Sequence, residues 1–158
     1  MGTVATMEIQ ATETVPQRAN VSFGRVSFSA VFEVDRAPAS CRALMRLLPY
    51  HGTVLHARWS GEAVWSPLRA AWPSGLTLAG ENATGAPRPG QLLLYAGEHS
   101  EPEILVAYGE TRFGANSGPL AGNPVLTIYE RLDELAYVGR SILESGANTL
   151  RIELAGAT

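Results

Sequence analysis

The chain of 158 residues has no lysine and only one cysteine, Cys41. Without lysine there is no Schiff-base chemistry and no P-loop lysine to hold a nucleotide phosphate. A lone cysteine excludes an intrachain disulfide and a cysteine-rich metal centre, and it fits a reducing, cytoplasmic setting. The 12 basic residues, all arginine, are outnumbered by 15 acidic ones, for a net charge of -3. With no basic block along the chain, nucleic acid is not an expected partner. Apolar runs such as the one within residues 91–96 fall far short of a membrane span. Residues 1–17 are polar and threonine-rich and lack the apolar segment of a secretory signal, so they read as a flexible tail ahead of a single domain over residues 18–158. In a cytoplasmic chain, the glycosylation sequons at Asn20 and Asn82 are coincidental.

Against these absences, hydrophobic residues make up 46% of the chain and charged residues 17%, enough to bury a real core. Phe23, then Phe28, Ala30, Phe32 and Val34, alternate as in a strand. Gly24-Arg25 between two such runs predicts a tight hairpin turn, since glycine tolerates the positive φ. A helix is expected over residues 37–48. Pro38 suits its first turn, Pro49 stops it, and Cys41, Leu44, Met45 and Leu48 share one face. Residues 53–59 and 62–67 read as a second hairpin about Ser60-Gly61. A two-residue loop there sets His56 opposite Trp65 and Arg58 diagonal to it, and a bulge would shift that register.

Residues 70–91 form a long glycine- and proline-rich connection, of a length that is often functional. Strands follow over 91–96 and 103–108, joined by an acidic, exposed loop. After a glycine-rich stretch over 114–122 come a strand over 125–130, a helix over 132–145 closed by Gly146, and a short strand over 150–154. Many short strands with two helices predict a β-rich α+β domain, a closed or nearly closed barrel.

The order of a hairpin, then Val34-Asp-Arg-Ala-Pro38 opening a helix that ends near Leu48, resembles the start of a cyclophilin. Beyond it the chain resembles a bacterial family of small cyclophilin-like proteins of unknown function. The residues that carry this likeness are Ala37-Pro38, His56-Ala-Arg-Trp-Ser-Gly-Glu62 with Trp65, and Glu81-Asn82. They continue with Pro89-Gly-Gln91, Glu103-Ile104, Tyr108-Gly109, Thr111-Arg-Phe113 and Leu120-Ala-Gly-Asn123. The likeness spans roughly Phe23 to Gly146. It implies a cyclophilin-like closed β-barrel with two flanking helices, and no known activity. The isomerase site of true cyclophilins resembles an arginine a few residues before an apolar-aromatic-Met-x-Gln strand. Here Arg58 is followed by Trp-Ser-Gly-Glu-Ala-Val-Trp, so that likeness stops at Arg58, and prolyl isomerisation is the least supported activity.

For chemistry, His56 is the best single acid–base candidate, since a free imidazole titrates near neutrality. The alternative is a hydrogen-bonded structural histidine. Ser60 is not in a nucleophile elbow, and Cys41 reads as a small core hydrophobe. His51, His56 and His99 lack metal-ligand spacing, so neither a metal nor a cofactor is expected. Glu98, Glu101 and Glu103 offer a cation-chelating loop or, the stronger reading, a solvated hairpin tip. Arg58 and Arg112 each adjoin a large aromatic, Trp59 and Phe113. A planar guanidinium matches a carboxylate, and aromatics give stacking area. If they converge with His56, Glu62, Trp65, Glu81 and Tyr108, the ligand is a small carboxylate or planar anionic metabolite. The alternative is that each arginine pairs with Glu62, Glu81 or Glu103 to hold the barrel together. A different class of function is a non-catalytic domain that self-associates into homo-oligomers through exposed barrel edges.

Overall fold

A computed structural model of the chain describes residues 17–156. The predicted tail therefore lies outside the described residues except for Gln17, whose carbonyl accepts the Phe32 amide at 2.9 Å.

The first hairpin pairs β1 (Arg18–Phe23) with β2 (Val26–Phe32) around Gly24, which takes the expected positive φ of 61°. Helix α1 (Pro38–Leu47) follows, with Pro38 in its first turn and Cys41 and Leu44 buried. The chain continues through β3 (Tyr50–His56), β4 (Gly61–Pro67), β5 (Gln91–Tyr95) and β6 (Glu103–Thr111). A two-stranded ribbon, β7 (Gly114–Ala115) with β8 (Gly118–Pro119), lies inside the predicted glycine-rich stretch. Then come β9 (Asn123–Ile128), α2 (Leu132–Ser145) and β10 (Asn148–Leu154). Gly146 ends α2 with a φ of 93°, a conformation few other residues hold cheaply.

Eight strands close into an antiparallel barrel in the order β1-β10-β3-β4-β6-β5-β9-β2. The exposed edges expected to drive self-association are therefore absent from this sheet, because the last strand in that order pairs back onto β1. Inward-facing Val21, Phe28, Val54, Val64, Leu92, Leu94, Ile104, Val106 and Ile152 fill one core. Helix α1 packs on β9, and α2 packs on β3, β4 and β6.

A second, smaller apolar cluster lies on the opposite face of β4, β5 and β6. It comprises Ala63, Leu93, Tyr95 and Leu105, covered by Phe113 and Leu120. This explains why β5 reads as an unbroken apolar run: both of its faces are buried, so alternation disappears.

The β3–β4 hairpin corrects the expected register. Leu55 faces Trp65 and His56 faces Val64, one residue away from the pairing that a two-residue turn imposes. The loop is longer because it is anchored from outside the hairpin. The Ser60 carbonyl accepts the Arg112 amide at 2.9 Å, and the Ser60 hydroxyl joins both the amide and the carbonyl of Gly114. Gly61 takes a φ of 86°, and a Cβ there would stand 2.8 Å from the Glu110 carbonyl, so only glycine lets the loop press against β6. A bulge between Gly61 and Ala63 absorbs the misfit. Arg58 consequently sits in the loop rather than on a strand diagonal to Trp65.

Candidate functional site

The outer apolar cluster is the floor of a groove. The β3–β4 loop rises on one side and the β7–β8 ribbon on the other. Between them is a cavity of about 430 Å³ lined by Arg58, Trp59, Ser60, Trp65, His99, Glu103 and Leu105, with Ala115 and Asn116 at the ribbon. Trp65 and Leu105 enter it because they alternate outward from β4 and β6, away from Val64 and Val106 in the barrel interior. Trp59 stands 57% exposed at the rim. On its far side a second depression, about 640 Å³, is lined by Trp59, Arg112, Phe113, Thr84 and Leu120. The two hollows share Trp59, Gly114 and Ala115.

Glu103 opens β6 as the sequence predicts, but it is not part of a solvated tip: it pairs with Pro67 and Tyr95 on the flanking strands and is 7% exposed. Its side chain shares the outward face of Leu105, so its carboxyl borders the cavity. Burial, followed by the negative charge of Glu101, pushes its pKa up to about 7. Glu101 does lie in the β5–β6 loop, where Arg69 holds it at 2.5 Å. The available signal was the continuous apolar run: over residues 103–108, Glu103 is the one charged residue in an otherwise apolar strand, which marks it as buried with its neighbours.

Arg58 and Arg112 are exposed, and among the described residues neither is in an ion pair. The stabilising pairs with Glu62, Glu81 or Glu103 do not form, because two of those carboxylates hold backbone amides instead. The Glu62 Oε1 accepts the Glu110 amide at 2.9 Å, bracing the bulged end of β6. Glu81 reaches across from the long connection to the start of α1, where it accepts the Ala39 amide at 3.0 Å, the Ser40 amide at 2.8 Å and the Ser40 hydroxyl at 2.7 Å. Asn123 ties this junction to β9 by donating to the Ser40 hydroxyl and the Ala79 carbonyl. Desolvation opposes ionisation of Glu81, but the Ser40 and Ala39 hydrogen bonds and Arg42 outweigh it and hold the carboxyl below its ordinary value.

His56 faces the barrel interior, away from the groove. Its Nδ1–H donates to the Ala57 carbonyl at 2.9 Å, which leaves Nε2 to accept the Tyr108 hydroxyl at 2.7 Å. Burial, with the charge of Glu62 adding, raises the Tyr108 pKa against the opposing charge of Arg140. The Tyr108 ring lies against Gly139 of α2, where a Cβ would come within 2.2 Å of it. The eight residues singled out from sequence therefore occupy five places. Arg58 and Trp65 share the first hollow, and Arg112 and Phe113 the second. His56 and Tyr108 bond each other under α2, while Glu62 and Glu81 cap backbone elsewhere.

Among the described residues no group of three or more His, Cys, Asp or Glu side chains is placed to hold a metal ion. Cys41 is buried in the core, and burial, with Glu81 adding, pushes its thiol pKa up to about 12, so it is no nucleophile. The Ser60 hydroxyl is engaged with Gly114 on both its donor and acceptor sides. Among the described residues no helix is long and apolar enough to cross a membrane.

Comparison with solved structures returns the same barrel. The structure of McbB in complex with tryptophan is 19% identical at a TM-score of 0.69, over 89% of this chain and 45% of that one. The chain thus spans less than half the length of McbB. A hypothetical protein of Archaeoglobus fulgidus, solved in solution, is 15% identical at a TM-score of 0.54, over 89% of this chain and 96% of that one. A cyclophilin-type peptidyl-prolyl cis-trans isomerase of Cryptosporidium parvum is 9% identical at a TM-score of 0.55, over 91% of this chain and all of that one. At such identities the likeness shows the fold, which is cyclophilin-like. No curated protein matches the chain. A family described as "Protein of unknown function (DUF3830)" matches residues 20–154, nearly the whole barrel and both helices, and it is to this family that the chain belongs.

Proposed function

We propose that the protein binds a small planar organic anion in the groove on the outer face of β4 and β6. The observation that carries this reading is an arginine that makes no ion pair among the described residues, Arg58, meeting two indoles, Trp59 and Trp65, around one apolar-floored cavity. Its volume lies within the range of small-molecule sites. In this reading the guanidinium takes the carboxylate by paired hydrogen bonds, the indoles cover the ring, and Leu105 supplies the floor. Arg112 serves the adjoining hollow across Trp59, where a longer ligand extends with Phe113 beneath it. His56, Tyr108, Glu62 and Glu81 hold the scaffold. McbB, similar in fold over 45% of its own length, has been solved in complex with tryptophan, a ligand of the same aromatic carboxylate chemistry. Prolyl isomerisation has only the fold behind it, and a fold does not carry an activity.

The test is calorimetric titration with indole-3-propionate and benzoate. A charge-assisted pair contributes about 1.5–3 kcal/mol, so Arg58→Ala is expected to weaken binding at least tenfold. Equal affinity in the wild type and the variant, or no binding of either probe at millimolar concentration, overturns the reading.

A further inference from the structure

We propose that Glu103 makes the groove selective for ligands that carry a protonated amine beside the carboxylate, zwitterions of the aromatic amino acid type, over bare aromatic anions. This rests on the anion-binding reading above and names the ligand class within it.

Glu103 is held in place from both sides, by Pro67 of β4 and Tyr95 of β5, and more than nine-tenths of it is buried. Among the described residues no ion pair reaches its carboxylate. Among the described residues no side-chain oxygen or nitrogen is both sealed from solvent and unpartnered, so the Glu103 oxygens open to the cavity they line. The nearby charges leave it without a partner. Arg69 is taken by Glu101, which adds negative charge. His99, at the rim, lies 3.9 Å from Glu98. Arg58 lines the same cavity and makes no ion pair with Glu103, which leaves space between them.

The cavity therefore has two poles, a guanidinium at the loop and a carboxylate at the floor, with indole faces between them. A bare anion on Arg58 meets the like charge of Glu103 and binds more weakly wherever Glu103 is ionised. A zwitterion satisfies both poles at once, and its ammonium gives the buried carboxylate the donor it lacks.

Three probes that share one indole separate the ideas. L-tryptophan carries both groups, indole-3-propionate lacks the amine, and tryptamine lacks the carboxylate. Calorimetry at about pH 8, where Glu103 is mostly ionised, is expected to give tryptophan at least tenfold tighter binding than indole-3-propionate. Glu103→Gln is expected to abolish that preference without weakening indole-3-propionate, and Glu103→Asp, which keeps the charge, to retain it. Arg58→Ala weakens tryptophan and indole-3-propionate alike. If the two carboxylates bind equally in the wild type, or if the preference survives in Glu103→Gln, the selectivity proposal falls while the groove reading stands. If none of the three binds, both fall.

Discussion

Replacing Glu103 with glutamine keeps the shape of the side chain and removes only its charge, so it isolates what burying that carboxyl costs the fold. The carboxyl titrates near 4.5 when exposed and at about 7 in the folded chain. The folded state therefore holds this proton more tightly than the unfolded state. Below both values the group is neutral in either state and imposes no penalty. As the pH rises past the exposed value, the unfolded chain ionises freely while the folded chain does not, so stability falls. Above the folded value the loss levels off, at about 3 kcal/mol. Glu103→Gln does not suffer this loss. Between about pH 5 and pH 8 the wild type is expected to lose about 2.5 kcal/mol relative to the variant. In urea denaturation that is a relative midpoint displacement of about 1 M or more. Comparing the two proteins at each pH cancels every other titrating group. Parallel midpoints at both pH values would refute the reasoning, for they would mean that Glu103 is ionised and well solvated within the fold.

Other substitutions probe the scaffold around the groove. Glu81→Ala removes the three hydrogen bonds at the start of α1 and is expected to cost about 1–2 kcal/mol in denaturant. Because the Glu81 carboxyl is held below its ordinary 4.5, its contribution is present above that value and disappears as acid protonates it, so wild type and variant should converge in acid. Gly139→Ala drives a methyl group to 2.2 Å from the Tyr108 ring. The overpacking, at the upper end of about 1–3 kcal/mol, outweighs the gain in helix propensity of about 1 kcal/mol, so the melting temperature falls. Tyr108→Phe leaves the His56 Nε2 without its donor, and a loss of about 1–3 kcal/mol is expected in urea denaturation.

How far the sequence reached can be traced residue by residue. Period-two alternation and glycine placement were enough for the first hairpin, because glycine favours that turn locally, and the bond from the Gly24 amide to the Thr149 carbonyl only adds to it. Local apolar spacing located α1 and α2, and the bounds of α2 agree with the prediction at both ends. The β3–β4 register was not legible. It depends on Ser60 bonding to Arg112 and Gly114, more than fifty residues away along the chain, and on the closeness of Gly61 to Glu110. That register, with the longer loop, separates Arg58 from His56. Glu62 and Glu81 escaped for a similar reason. Spacing shows that a carboxylate is present but not whether it meets a guanidinium or a distant backbone amide.

By itself the sequence determined the composition of the fold, with its many short strands, two helices, one core and no disulfide, because these follow from local periodicity and residue counts. Only the tertiary structure decided which charged side chains share a space. It closed the barrel and covered the outer face of β4, β5 and β6 with the segment that carries Phe113 and Leu120. It also left Arg58 and Glu103 around one hollow without joining them. The physical reason is that burial and pairing energies depend on distance in space, and the chain brings residues 58, 65, 103 and 115 together only when the barrel closes.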